Sequence, residues 1–339
     1  MASLAPISSG ETLCFDARFS RRAKALLCAI LILFVILIVA ISAVQGIAFG
    51  AVLASFLMLS LWAGLSISGL AQFVAVVTPG RWRLDIRAAW LMVAILMSGI
   101  TIPLFQLFKQ RILPARGFPL DPYVAKLDRL IFGGVDPWTI THALFGNVRA
   151  TLFFDAIYGL WLPMMFAFPM VIVMAVHDER VRTHILGCWM ASWVLIASVA
   201  AWLFGSAGPC YYTRLVGPDA GFAALDAQLG KLGAQAHAMG HPIAAIDFQS
   251  MLLSEQNASA LLPAGGISAM PSMHVAMATL FALAAFKVNN VFGWLFTLYA
   301  MLIWIGSVHL GWHYALDGVA GAAMMIAVWR ITGKFVARL

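Results

Sequence analysis

The chain consists mainly of long apolar runs, separated by short polar segments. A helix needs about 20 apolar residues to cross the hydrocarbon core of a bilayer. Of the 339 residues, 63% are hydrophobic and only 10% are charged, which leaves too little polar surface for a water-soluble protein of this length. The runs are continuous rather than alternating, so they indicate helices. The sequence therefore predicts an all-α, polytopic membrane helix bundle of about eight spans, at 24–44, 50–77, 88–108, 151–176, 184–205, 272–288, 291–309 and 314–332.

Basic residues cluster at the ends of these runs, which is typical of orientation signals and not of a nucleic-acid partner. They precede the first run and recur in the segments 78–87 and 177–183, at Lys287 and at the C-terminal end. We therefore expect both termini to be cytoplasmic. The stretch 109–150 would then lie on the other side, and its mixture of apolar and charged positions predicts an amphipathic helix in the outer headgroup layer.

Two short motifs place ionisable residues at the starts of predicted spans. Pro-Ser-Met-His (271–274) precedes the sixth span, and His-Tyr-Ala-Leu-Asp (313–317) opens the eighth. His313 and Asp317 are four residues apart and lie on one face of a helix. A carboxylate beside an imidazole orients it and leaves the other ring nitrogen free as a nucleophile or base. A polar pair that only packs two helices is the simpler alternative, but a second histidine, His274, at the same membrane face favours a catalytic site.

Further polar residues are expected at this face, each with a structural alternative. The Ser272 hydroxyl would hold a phosphate oxygen or cap the helix that follows it. Arg214 would clamp a phosphate or remain a solvated loop residue. Asp155 would bind a substrate hydroxyl, support a group that itself binds the substrate, or favour the start of its own span through the helix dipole. Tyr211 and Tyr212 suit the membrane interface and are further candidates for substrate binding.

The two motifs resemble the second and third signature motifs of the phosphatidic-acid phosphatase type 2 superfamily. With Gly-Pro-Cys-Tyr-Tyr (208–212) upstream, the chain looks more like the branch that contains inositol phosphorylceramide synthase and the sphingomyelin synthases. The resemblance is strongest over 110–335. It implies a six-span catalytic core at 88–335, preceded by a tail and two extra spans at 1–80.

The resemblance also implies a phosphohistidine mechanism that needs no metal or other cofactor. His313 would attack phosphorus, Asp317 would orient and stabilise it, and His274 would protonate the leaving alkoxide. Covalent catalysis splits one difficult displacement into two, and the acid then serves as a base. The implied partners are a membrane phospholipid donor and a lipid alcohol or water acceptor, on the periplasmic, extracellular or lumenal side.

The sequence departs from the family pattern in its phosphate-binding cations. A lysine-and-arginine first motif that ends in Arg-Pro is not found, and Gly306-Ser307 stands where the family carries Ser-Arg before the third-motif histidine. Arg214 is then the candidate cation, and protonated His309 is the second. These departures favour a lipid phosphotransferase that moves a phosphoinositol-like headgroup. A lipid phosphate or polyprenyl-diphosphate phosphatase is the alternative.

Two other classes of protein remain open. His309, His313 and Asp317 have the four-residue spacing of zinc-binding helices, which would suit a metal hydrolase. Gly311 between them argues against one continuous helix, and we expect no metal site. A transporter with a histidine proton relay is the other class, but it predicts ionisable residues near the midplane of the membrane. Here the histidines lie at the ends of spans. The sequence does not indicate an oligomeric state.

Overall fold

The structure is a computed structural model that describes residues 50–77, 88–111, 113–254 and 265–338, together with helical positions scattered between 21 and 43. Helices joined by short loops make up these residues, and no strand occurs in the described ranges. The predicted all-α class is therefore confirmed. Seven of the 21 positions of the predicted first span and the whole of the basic segment 78–87 lie outside the described residues.

The helices fall into long apolar rods and shorter connecting helices. In chain order they are α1 (Gly50–Val77), α2 (Ala88–Arg111), α3 (Asp121–Ile131), α4 (Pro137–Phe145), α5 (Val148–Gly159), α6 (Trp161–Ala175), α7 (Glu179–Val194), α8 (Tyr212–Leu215), α9 (Ala220–Ala238), α10 (Ala244–Ser254), α11 (Met273–Phe286), α12 (Asn290–His309) and α13 (Ala315–Val336). A π-helical turn, Leu195–Ala200, and a short helix, Ala201–Phe204, continue α7.

Five helical segments of the described chain are long and apolar enough to cross a membrane. They are Ala89–Arg116, Val148–Ala175, Glu179–Phe204, Asn290–His309 and Ala315–Val336. Two further apolar helices are shorter, Leu53–Gly69 within α1, and α11. The sixth predicted span is therefore shorter than the sequence indicates. Ser272 caps the start of α11 and a turn follows Phe286, so only 14 residues, about 21 Å, are helical.

Helix α11 packs against α12 and α13, and most of its side chains are buried. Its start lies close to the start of α13. A Cβ atom at Gly321 would overlap the carbonyl oxygen of Ser272, so only glycine allows this approach. The Ser272 N–H donates a hydrogen bond of 2.9 Å to the Asp317 carbonyl. The two sequence motifs are therefore joined through their backbones.

One end of the bundle is where α2 and α12 end and where α5, α11 and α13 begin. We call this end of the bundle the site end. Helix α3 lies there, and it is amphipathic as predicted. Its apolar face points outward, with Tyr123 and Leu130 71% and 75% exposed, and its inward face carries the buried residues Asp121 and Asp128. An exposed apolar face is what a helix in the headgroup layer presents to lipid.

Candidate active site

His313 and Asp317 form the pair that the sequence predicts. His313 Nδ1 lies 3.3 Å from Asp317 Oδ2, and both side chains are buried. The same carboxylate oxygen accepts a hydrogen bond of 3.0 Å from the Tyr314 N–H, which fixes its position at the first turn of α13. Because the Nδ1 edge faces Asp317, His313 Nε2 is the ring nitrogen left for chemistry.

His274 faces His313 across a short gap. The two ring centres are 5.9 Å apart and the planes are inclined at 60°. The His274 ring is held between Tyr158, at 4.4 Å, and Trp161, at 4.1 Å. These stacked rings restrict the orientation of the imidazole. The arrangement therefore presents two oriented histidines to one space.

That space is a cavity of about 500 Å³ at the site end. One part of its wall is polar and contains His274, His313, Asp155 and Lys109. The remainder is mainly apolar and aromatic and comes from α1, α2, α6, α7 and α10. The mainly apolar wall suits hydrocarbon chains, and the polar part suits a polar or charged group. Several cavity-lining polar atoms have no hydrogen-bond partner among the described residues: Gln106 Oε1, Tyr158 Oη, Trp161 Nε1, Trp193 Nε1 and Trp312 Nε1.

Lys109 is a site residue that sequence reasoning missed. It lies in the last turn of α2 and is the one lysine or arginine among the described residues that line the cavity. Lys109 and His274 line the same cavity. A lysine and an arginine, Lys109 and Arg116, do stand at the end of this span, but Gly117 rather than proline follows Arg116. Arg116 is exposed and does not line the cavity.

The two cations proposed from the sequence are elsewhere. Arg214 is exposed and does not line the cavity. His309 is fully buried, its Nε2 atom lies 3.0 Å from Thr151 Oγ1, and its ring stacks on His142 at 4.2 Å. The geometry therefore does not support either residue as the phosphate-binding cation.

Ser272 caps the start of α11, which was the alternative to binding a phosphate oxygen. Its hydroxyl accepts a hydrogen bond of 3.4 Å from the Val275 N–H, and the residue does not line the cavity.

Tyr211 and Tyr212, the two tyrosines proposed for substrate binding, lie in different surroundings. Tyr211 lines the cavity, with its hydroxyl 3.4 Å from the Gln249 carbonyl oxygen to which it donates. Tyr212 packs on Phe222 in a separate apolar cluster beneath α9.

Asp155 lies at the cavity but both of its oxygens are used. They accept hydrogen bonds from the Ala244 N–H, at 2.9 Å, and the Ala245 N–H, at 2.8 Å. These are the first amides of α10, which have no partner within their own helix. Asp155 thus fixes α10, whose Phe248 lines the same cavity. Of the roles predicted from the sequence, this contact corresponds to the one in which Asp155 supports a group at the site.

Asp121 and Asp128 were also missed, because the sequence shows them only as charges on an amphipathic helix. Both are buried and accept several hydrogen bonds from the loop before α8 and from the start of α13. Burial raises the pKa of Asp128 to about 6, against the lowering effect of its two backbone hydrogen bonds. Burial likewise raises the pKa of Asp121.

Among the described residues, no group of three or more His, Cys, Asp or Glu side chains is placed to hold a metal ion. His309 contacts Thr151 and His142 and does not line the cavity that His313 faces. The three residues on which the metal-hydrolase alternative depends are therefore not brought together as ligands.

Comparison with known proteins gives one match. The family model of the PAP2 (phosphatidic-acid phosphatase type 2) superfamily matches residues 122–331, which include both motifs. No match was found among curated proteins. No match was found among solved structures.

Proposed function

This chain belongs to the PAP2 superfamily, and from that membership and the cavity we propose that it is a lipid phosphotransferase. It moves a phospho-headgroup, phosphoinositol-like in character, from a membrane phospholipid to a lipid alcohol. Membership supports a function of phosphatase or phosphotransferase type. The reaction takes place at the outer membrane face, which is the side that the basic loops favour.

The observation that carries the proposal is the arrangement of two histidines at the polar end of an otherwise apolar cavity. His313 is oriented by Asp317 at 3.3 Å, and His274 is 5.9 Å away between two aromatic rings. A phosphorus atom between the imidazoles would be within reach of a nucleophile on one side and a proton donor on the other.

In the first step His313 Nε2 forms a bond to phosphorus while the bond to the leaving alkoxide breaks. His274 gives its proton to that alkoxide. The imidazole of His313 becomes positively charged on phosphorylation, and Asp317 stabilises this charge. In the second step the hydroxyl of an acceptor gives its proton to His274 and attacks phosphorus, and the P–N bond to His313 breaks.

Lys109 is the residue best placed to neutralise the phosphate. It lies on the cavity wall, and no described carboxylate forms a salt bridge with it. A cation in a dry pocket interacts with phosphate more strongly than one in water. Tyr158, Trp161 and Trp312 provide donor groups without partners among the described residues, and these suit the oxygen atoms of a headgroup.

The apolar wall supports a lipid alcohol as acceptor. Phe105, Phe166 and Trp193 face the cavity with other apolar side chains of α1, α2, α6 and α7. Such a wall accommodates hydrocarbon chains and lowers the local concentration of water, which competes as an acceptor. Transfer to a second lipid is thereby favoured over hydrolysis.

A lipid phosphate or polyprenyl-diphosphate phosphatase is the second candidate, and Lys109 favours it. The sequence argument for transfer depends on missing phosphate-binding cations, and a lysine in the cavity weakens that argument. The two functions share the same first step and differ in the acceptor that completes the second.

The test is a transfer assay with the purified chain in mixed micelles. Phosphatidylinositol, phosphatidylethanolamine, phosphatidylglycerol and phosphatidic acid are each supplied with and without ceramide, and products are measured by mass spectrometry. We expect transfer of a headgroup to ceramide by the wild type and none by His313→Gln. His237→Gln, which changes an exposed histidine of α9, is the matched control and should behave as the wild type.

Two results would decide against this proposal. Release of inorganic phosphate from phosphatidic acid at a rate independent of ceramide would favour the phosphatase. Full activity of His313→Gln would exclude a phosphohistidine intermediate at this residue.

A further inference from the structure

Helix α3 carries two carboxylates on its inward face, seven residues apart. Residues at this spacing lie two turns apart on one side of a helix. Asp121 is 0% exposed and Asp128 is 1% exposed. Buried carboxylates are costly unless they are well hydrogen-bonded, so the partners of these two residues indicate what the helix does.

Asp121 binds the loop before α8 and Tyr314, the residue between His313 and the start of α13. Its carboxylate accepts hydrogen bonds from the Ala207 N–H at 2.8 Å, the Gly208 N–H at 2.9 Å and the Ser206 hydroxyl at 3.2 Å. It also accepts one of 2.9 Å from the Tyr314 hydroxyl. Gly208 has a φ of 98°, and a side chain there would overlap the Trp312 carbonyl, so this loop lies directly against the residue before His313.

Asp128 binds the start of α13 itself. Its carboxylate accepts hydrogen bonds from the Ala315 N–H at 2.7 Å and the Leu316 N–H at 3.0 Å. These amides belong to the first turn of the helix and have no partner within it. Asp128 therefore caps, from another helix, the turn that lies between His313 and Asp317.

Helix α3 is itself firmly anchored. The Arg129 guanidinium donates to Asp136 at 2.7 Å and to Asp219 at 2.8 Å, and it lies over the Phe222 ring at 5.1 Å. Asp219 in turn caps the start of α9. The two inward carboxylates are therefore presented by a helix that is held from its other side.

We propose that Asp121 and Asp128 are positioning residues that fix His313 Nε2 relative to the cavity. The inference rests on the proposed function, because it assigns what keeps that nucleophile aligned. Tyr314, Ala315 and Leu316 follow His313 directly, so each of the next three residues along the chain is held by α3. A displacement of about 1 Å between reacting groups can lower a rate about 100-fold.

The same contacts affect where a phosphate can bind. The start of a helix normally offers free amides to an anion. In α13 the Ala315 and Leu316 amides already bind Asp128, and in α11 the Ser272 hydroxyl accepts from the Val275 amide. Asp128 thus keeps the phosphate away from the first turn of α13, and Lys109 on the polar part of the cavity wall attracts it.

The test compares kcat and KM for Asp121→Asn and Asp128→Asn, with the phospholipid of the panel above that the wild type converts. We expect kcat to fall about 10- to 100-fold in both variants, because the nucleophile is misaligned. KM should stay within about threefold of wild type in Asp121→Asn, because Asp121 does not bind the first-turn amides of α13. Asp128→Ala, which retains no acceptor, should be slower than Asp128→Asn. Asp226→Asn removes a carboxylate that accepts from Thr213 at the same end of the bundle and is the matched control, with unchanged kcat.

Tyr314→Phe gives a result that does not depend on a change of buried charge. It removes only the hydroxyl that donates to Asp121, and we expect kcat to fall about threefold to tenfold at constant KM. Wild-type kcat in Tyr314→Phe and in every folded aspartate variant, with His313→Gln inactive, would overturn the positioning role and leave the function intact. Full activity of His313→Gln would overturn both.

Discussion

The rings of His274 and His313 lie 5.9 Å apart, although His274 belongs to the first turn of α11 and His313 lies two residues before α13. The hydrogen bond of 2.9 Å from the Ser272 N–H to the Asp317 carbonyl explains this proximity, because it joins the starts of α11 and α13. Glycine at position 321 allows the helices to approach. The two imidazoles are therefore positioned by backbone contacts that do not depend on either ring.

Replacement of Asp317 by Asn should abolish most activity without unfolding the chain. The Asn carbonyl oxygen can still accept from the Tyr314 N–H, but an amide does not stabilise a charged imidazole. We expect kcat to fall at least about 100-fold, as is typical of a carboxylate that orients a catalytic histidine. The measurement is steady-state turnover, with Asp247→Asn on the exposed side of α10 as the control. A kcat within threefold of wild type would count against the His313–Asp317 pair.

Replacement of Lys109 by Met should weaken phosphate binding in both the ground state and the transition state. Loss of a hydrogen bond to a charged group costs about 1.5–3 kcal/mol, so kcat/KM should fall about 10- to 100-fold. In Lys109→Arg, part of the lost kcat/KM should be recovered. Lys231→Met, on the exposed surface of α9, should match the wild type.

Arg214→Met tests the competing assignment from the sequence. Because Arg214 is exposed and outside the cavity wall, we expect kcat/KM within twofold of wild type. A large loss of kcat/KM in Arg214→Met, together with wild-type kcat/KM in Lys109→Met, would assign the phosphate-binding cation to Arg214 instead of Lys109.

Removal of the Asp155 carboxylate should loosen α10. Asp155→Ala leaves the Ala244 and Ala245 amides without their acceptor, and loss of a helix cap costs about 1 kcal/mol. We expect faster amide hydrogen exchange in α10, with Asp155→Asn between the alanine variant and wild type. Loss of activity with unchanged exchange in α10 would instead indicate direct contact with substrate.

Stability should depend on pH through Asp128. Burial raises its pKa to about 6 in the folded chain, from 3.8 in the unfolded chain, and the nearby Asp317 adds to the effect. The folded state therefore binds more protons in this range, and this contribution to stability is largest at low pH and falls as pH rises through about 6.

The measurement is the free energy of unfolding of wild type and Asp128→Asn in the same detergent at pH 4.5 and pH 7. We expect the wild type to lose about 2 kcal/mol relative to the variant between these values. A difference that stays constant, or that grows in favour of wild type with pH, would contradict the raised pKa.

The class of fold and the three central residues could be predicted because their signals are local. Apolar runs of about 20 residues indicate helices without further information. The spacing of His313 and Asp317 predicts neighbours on one helix. The structure pairs them, although His313 lies just before α13 and not within it. The motif that contains His274 adds the second histidine. The structure brings these three residues together at one cavity.

The supporting residues could not be predicted because their partners are distant in sequence. Lys109 resembles any basic residue that flanks a span, and only the fold places it on the cavity wall. Asp155 caps a helix about 90 residues away, which no local pattern shows. The charges of α3 were expected in the headgroup layer, yet Asp121 and Asp128 face the protein and the apolar residues face outward.

The central claim is a covalent phosphorus–nitrogen bond at His313, and the most direct measurement is to trap it. The wild type is mixed with its donor phospholipid without a lipid acceptor, quenched in base, digested and analysed by mass spectrometry. We predict a phosphoryl or phospho-headgroup adduct on His313, attached through Nε2 because Nδ1 faces Asp317, and no adduct in His313→Gln or on His237. Turnover of the donor with no adduct on His313, and with His313→Gln as active as wild type, would contradict the account.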